Sequence, residues 1–110
     1  MTVPMEITCR DVKDMLDRGD NFLLLDCRER EEHTTAHIAA AELLPMSEIV
    51  DRVAELEPHR GKTIVVHCHH GGRSLRVANW LRGQGYDTAC SMAGGIDDWS
   101  QTIDATIPRY

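Results

Sequence analysis

A cysteine enclosed by histidine, glycine, arginine and serine is the part of this chain best equipped for covalent chemistry. The run Thr63-Ile64-Val65-Val66-His67-Cys68-His69-His70-Gly71-Gly72-Arg73-Ser74 leads an apolar strand into Cys68 and then into a loop that opens a helix. The first turn of a helix leaves backbone N–H groups unpaired and carries partial positive charge, and both favour a thiolate over a thiol. A free thiol has a pKa of about 8.5, so little of it is ionised at neutral pH; a fall of roughly two units makes the thiolate dominant and corresponds to about 2.7 kcal/mol. The loop holds sources for that energy. Amides 69 to 74 can curl round the sulfur as an anion nest, and Gly71 and Gly72 permit the positive φ that the curl demands. Arg73 supplies a full positive charge, while His69 and His70 add hydrogen bonds or, when protonated, charge. Cys68 is therefore the candidate nucleophile, and His69, His70, Gly71, Gly72, Arg73 and Ser74 form its binding loop.

The elements that must position this loop follow from the apolar pattern. Glu6-Ile7 reads as a short strand, and Thr8 with Asp11 as a helix start whose buried stripe is Val12, Met15 and Leu16, ended by Gly19-Asp20. Phe22 to Leu25 runs continuously apolar into Asp26, as in a strand covered on both faces. The charged stretch from Cys27 to Thr35 reads as a loop or short helical turn, with Glu29-Arg30-Glu31-Glu32 as solvated surface, and Glu42-Leu43-Leu44 as another short strand before Pro45. Ser47 is positioned to cap a helix carrying Ile49, Val50, Val53 and Leu56, broken by Pro58 to Lys62. Thr63 to His67 is the clearest strand. A helix from Arg73 or Ser74 to Gln84 buries Val77, Ala78 and Leu81 and is capped by Gly85; Thr88-Ala89-Cys90 is a weak strand, and a helical turn holding Trp99 follows Gly94-Gly95. Strands alternating with helices at this spacing imply a mostly parallel α/β sheet wrapped by helices, in which ligands sit beyond the carboxyl ends of the strands. Asp26 and Cys68 both lie at such ends.

The 110 residues, 42% of them hydrophobic, suit one domain spanning 1–110 with a single core. A net charge of −6 argues against nucleic acid or an acidic membrane as partner. The chain has no apolar run of membrane-spanning length and no basic-then-apolar leader at Met1 to Glu6, which points to a soluble cytoplasmic protein. Cys9, Cys27, Cys68 and Cys90 are too scattered for paired zinc or dithiol spacing. Cys9, Cys27 and Cys90 read first as small buried hydrophobes, although Cys27 beside Asp26 also raises the idea of a second thiol near the site. Consecutive ligands on a strand point to opposite faces, so His67-Cys68-His69-His70 is not read as a metal site, and His67 is read as a hydrogen-bonding residue of the sheet. Asp26 and Arg28 read as an ion pair anchoring the loops above the sheet, and Trp99 as a core plug.

With these residues in place the chain resembles the rhodanese family over nearly its whole length. Leu24-Leu25-Asp26-Cys27-Arg28-Glu29, then Glu32 and Ala36-His37-Ile38, is similar to the family's first signature; His67-Cys68 to Ser74 is similar to its active-site loop. Gly85-Tyr86 and Met92-Ala93-Gly94-Gly95-Ile96-Asp97-Asp98-Trp99 are similar to its closing signature. Ala36 and Ala39-Ala40-Ala41 depart from the usual glycine and Pro-Gly-Ala, so the connection there is expected to differ in shape. The resemblance implies a five-stranded parallel sheet flanked by helices on both faces, and a sulfurtransferase without cofactor or metal. Cys68 would take the outer sulfur of a small anionic donor such as thiosulfate, hold it as a persulfide, and pass it to cyanide or a thiol acceptor such as thioredoxin or glutathione. Cysteine phosphatases and arsenate reductases of the same fold are the nearest chemical rival, recognised by five residues between cysteine and arginine. Here His69-His70-Gly71-Gly72 makes four, a loop sized for one sulfur atom. A non-catalytic docking module of the family is the other reading; such modules commonly lack the nucleophile.

Overall fold

A computed structural model describes residues 3–110. Five strands, β1 (Glu6–Ile7), β2 (Phe22–Asp26), β3 (Glu42–Leu43), β4 (Thr63–His67) and β5 (Ala89–Met92), form one sheet in the order β1-β5-β4-β2-β3. Every neighbouring pair is parallel. The helices are α1 (Cys9–Arg18), α2 (Arg30–Thr35), α3 (Ile49–Arg52), α4 (Gly72–Gly83) and α5 (Gly95–Thr102). No helix among the described residues is long and apolar enough to cross a membrane.

Both sheet faces are buried, which is why β2 and β4 are almost continuously apolar. Alternation along the strands divides the core in two. Leu23, Leu25 and Cys27 of the β2 segment join Ile64, Val66 and Cys68 of the β4 segment, and α4 covers them with Val77, Ala78 and Leu81. On the opposite face Leu24, Val65, Cys90 and Met92 pack with Cys9 and Val12 of α1 and Ile96 and Trp99 of α5. Trp99 is thus the expected plug.

Local signals explain most element boundaries. Thr8 and Asp11 form a reciprocal capping box at the start of α1, and Gly19 ends it with φ +70°. The region after Pro45 differs from expectation: Glu48, not Ser47, is the residue preceding α3, and only four residues are α-helical before a 3-10 segment at Val53–His59. An α-helical course through Pro58 would bring its ring against the Ala54 carbonyl, so the chain takes a tighter turn there. Val50, expected on the buried stripe, is exposed. Ser47 instead donates from Oγ to Glu29 Oε1 at 2.5 Å. The alanine-rich connection closes as a turn, with the Ala41 N–H donating to the Ile38 carbonyl at 3.0 Å.

One polar unit is built into this interior. Arg28 and Asp26 are fully buried, with Arg28 Nε donating to Asp26 Oδ1 at 2.9 Å and Nη2 to Oδ2 at 2.7 Å. Arg28 also donates to the carbonyls of Ala36 (2.7 Å) and Glu32 (3.3 Å), so it ties the end of β2 to α2. Burial acts to raise the Asp26 pKa, yet Arg28 hydrogen bonding and the charges of His67 and Arg28 hold it below the ordinary carboxylate range. The stabilisation from this carboxylate is complete above its unfolded pKa of about 3.9 and is lost as pH falls through the lower folded value. Asp26→Asn strands a buried guanidinium and is expected to cost about 3–5 kcal/mol in urea denaturation, with most stability regained in Asp26→Asn/Arg28→Met; unchanged stability in the single variant would contradict an anchoring role.

Candidate functional site

Cys68 follows the last residue of β4, and its sulfur is almost fully enclosed. The loop turns back on it, but with two of the amides 69 to 74 reaching the sulfur and with positive φ at Gly71 alone, Gly72 being already the first residue of α4. The Gly71 N–H donates to Cys68 Sγ at 3.1 Å and the Ser74 N–H at 3.3 Å, and Ser74 Oγ lies at 3.4 Å. In the thiolate form the Ser74 hydroxyl donates to sulfur. Ser74 is held for this by Ser91 Oγ of β5 at 2.7 Å, a partner with no signal in the sequence beyond its place in a weak strand. Gly71 adopts φ +115°, a conformation open to glycine, directly before α4.

The loop is fixed from behind by α5. The Ile96 N–H donates to the Cys68 carbonyl at 2.9 Å and the Asp97 N–H to the His69 carbonyl at 3.1 Å. Those amides reach the loop because Gly95, at φ +61°, has no side chain: a Cβ there would collide with the carbonyls of Cys68 and His69. The closing Gly94-Gly95 pair is thus part of the site, a role its distance in sequence concealed.

Several residues sit differently from the sequence reading. Arg73 does not present a free charge to the sulfur; it forms a two-pronged ion pair with Glu32, Nη1 to Oε1 at 2.7 Å and Nη2 to Oε2 at 2.8 Å. Glu32 therefore belongs to the site rather than to a solvated run, and chiefly the Arg73 hydrogen bonds hold its carboxyl down at about 2. Glu29 likewise bonds Ser47 and shares a capping box with Glu32. His67 is fully buried and neither ring nitrogen has a hydrogen-bond partner among the described residues, so it is not the hydrogen-bonding residue expected; its Nε2 is 4.0 Å from Asp26 Oδ2, and burial pushes its pKa down. His69 and His70 sit at the rim with ring centroids 3.9 Å apart. Being in a loop rather than a strand, they do converge: donor atoms of His69, His70 and Asp97 lie within 4.8 Å of one another, with Asp97 engaged by Arg109 at 2.9 Å. Tyr110, absent from the sequence reading, stacks on His69 at 3.9 Å, accepts from Arg28 Nη1 at 2.9 Å and donates to Glu32 Oε2 at 2.8 Å.

The fold recurs in known proteins. Residues 8–102 match the family described as "Rhodanese-like domain". The chain belongs to that family. Among solved structures, a rhodanese-like domain protein from Staphylococcus aureus superimposes with TM-score 0.80 at 25% identity, covering 100% of this chain and 99% of that one. The human single-domain sulfurtransferase TSTD1 shares the fold with TM-score 0.77 at 23% identity, over 90% of this chain and 97% of that one. The maize protein "Adenylyltransferase and sulfurtransferase MOCS3-2" is 33% identical over 109 residues, 94% of this chain and 23% of that protein. The "Putative sulfur carrier protein YrkF" of Bacillus subtilis is 32% identical over 95 residues, 86% of this chain and 50% of that protein. The chain thus spans about a quarter to a half of these two curated relatives' length. Membership supports a role in sulfur transfer in general terms.

In this rhodanese-like domain the Cys68 thiol is brought down to about 4. The largest cause is hydrogen bonding from the Cys27 thiol; burial opposes it, and the Ser74 hydroxyl, Ser74 amide and Gly71 amide add to it. Cys27 is pushed far up, first by that same interaction with Cys68 and then by burial. The rates of Cys68 alkylation by iodoacetamide should therefore be level from mildly acidic to neutral pH and fall only as pH drops toward 4. In Cys27→Ala the midpoint should rise by about one pH unit, and less in Cys27→Ser, which keeps a donor; a wild-type midpoint at the free-thiol value would contradict the activation.

Proposed function

We propose that this domain is a sulfurtransferase that moves a sulfane sulfur from thiosulfate, or a similar small anionic donor, to cyanide or a thiol through a persulfide on Cys68. The observation that carries this reading is the cradle itself: one thiolate sulfur at the start of α4, met by the Gly71 and Ser74 amides at 3.1 and 3.3 Å. In the first step the Cys68 thiolate attacks the outer sulfur of thiosulfate, an S–S bond forms, and sulfite leaves with the electron pair of the broken S–S bond. In the second, the acceptor attacks the terminal sulfur, and the Cys68 thiolate leaves; with cyanide the product is thiocyanate. Both leaving and attacking sulfur are anionic, so amide dipoles fixed in place stabilise the charge as it passes along the chain of sulfurs. Little proton transfer is needed, which accords with Asp26 and Arg28 being locked in a buried ion pair.

The four-residue spacing to Arg73 favours this reading over phosphate-monoester chemistry, and so does the destination of Arg73. A guanidinium paired at both prongs with Glu32 is not available to grip a tetrahedral oxyanion over Cys68. The names of the maize and Bacillus relatives, a sulfurtransferase and a sulfur carrier, support a thiol or protein acceptor as the natural one, with thioredoxin and glutathione as the small candidates. Four unpaired cysteines suit a reducing compartment such as the cytoplasm.

Incubation with thiosulfate followed by cyanide should release thiocyanate, and Cys68→Ser should abolish the release. Thiocyanate release retained in that variant, or aryl-phosphate hydrolysis at a comparable rate by the wild type, would overturn the assignment.

A further inference from the structure

A second thiol shares the site with Cys68. The parallel register of β2 and β4 pairs Asp26 with His67, and the Cys27 N–H then donates to the His67 carbonyl at 3.1 Å. Cys27 and Cys68 are the next residues along these neighbouring chains. Adjacent strands lie about 4.7–4.9 Å apart, inside the roughly 4.4–6.8 Å range of Cα separations that a disulfide accepts. Side chains alternate along each strand, so the two cysteines fall on one face, and both are buried in the same apolar cluster. Cys9 and Cys90 belong to the cluster on the opposite face.

We infer that Cys27 is a resolving thiol: when no external acceptor arrives, it discharges the Cys68 persulfide as hydrosulfide and leaves a Cys27–Cys68 disulfide. The inference rests on the sulfurtransferase reading. In the step, Cys27 Sγ bonds to Cys68 Sγ as the bond from Cys68 Sγ to the terminal sulfur breaks. The terminal sulfur departs with that electron pair and takes the Cys27 proton, so a persulfide anion and a thiol become a disulfide and HS−. The sulfane sulfur is reduced and the two cysteine sulfurs are oxidised, with no outside oxidant. A dithiol reductant then returns both cysteines to thiols and is itself oxidised to a disulfide.

This arrangement gives Cys27 two consequences from one position. Before sulfur arrives its S–H stabilises the Cys68 thiolate. After loading, the negative charge moves outward to the terminal sulfur, and Cys27 faces an electrophilic Sγ. Both cysteines are buried side by side, so the internal thiol is the nearest partner of Cys68 Sγ.

The experiment compares wild type with Cys27→Ser, which keeps a hydroxyl donor but has no thiol. Each is loaded with thiosulfate, freed of donor, and followed without acceptor by intact mass and by assay of sulfide. Wild type should first gain one sulfur, then lose it with release of one sulfide per chain and end two hydrogens lighter than the reduced protein, with peptide mapping joining Cys27 to Cys68. Cys27→Ser should gain one sulfur, more slowly because a contributor to the Cys68 thiolate has changed, and should show neither sulfide release nor disulfide, the extra sulfur staying on the chain. Equal persistence of the extra sulfur in both proteins, with no disulfide in wild type, would overturn the role of Cys27 while leaving the sulfurtransferase reading intact. No uptake of sulfur by either protein would overturn both.

Discussion

The parallel register between β2 and β4 is the constraint from which the site follows. Pairing Asp26 with His67 brings the ends of the two central strands level. On one face of the sheet this places the Asp26 carboxylate where Arg28 closes over it; on the other it places Cys27 beside Cys68. A slip of one residue would exchange those faces, putting the carboxylate into the apolar cluster and separating the thiols. The near-continuous apolar character of both strands makes them burial-competent on both sides, and the polar residues at their ends fix which side is which.

The thiolate is stabilised by dipoles and a neutral thiol rather than by a full opposite charge. The cationic groups near the site are already engaged: Arg28 with Asp26, Arg73 with Glu32, and Arg109 with Asp97. What remains facing Cys68 is the start of α4, the amides of Gly71 and Ser74, the Ser74 hydroxyl backed by Ser91, and the Cys27 S–H. Such a set holds negative charge without offering a counter-ion that a multiply charged oxyanion could bind instead. The donors are held by backbone: α5 grips the loop carbonyls through Ile96 and Asp97, at a separation that only Gly95 permits, so the sulfur transfer proposed above would need no reorganisation of them.

Much of this was legible in the sequence because its signals are local. The strand at Thr63–His67, the turn of the loop back onto Cys68, the glycine at position 71, the capping box at Thr8 and the Asp26–Arg28 pair all announce themselves within a few residues. What escaped depends on contacts between distant segments. Glu32 looked like part of a solvated acidic run because nothing near it names Arg73, forty-one positions away, as its partner. Gly95 looked like a turn residue because the carbonyls that exclude its side chain belong to Cys68 and His69. His67 was expected to hydrogen-bond because a buried imidazole ordinarily does; its neighbour Asp26 is instead consumed by Arg28. Tyr110 carries no motif, yet it joins His69, Arg28 and Glu32.

The proposed persulfide requires room for one sulfur atom, bonded to Cys68, within residues 68–74. A high-resolution crystal structure of the protein after brief exposure to thiosulfate measures that most directly. Density is expected for a single additional atom at disulfide-bond distance from Cys68 Sγ, surrounded by loop amides, with the Arg73–Glu32 ion pair unbroken. A tetrahedral anion seated over an unmodified Cys68, with Arg73 swung away from Glu32 to bind it, would contradict the account.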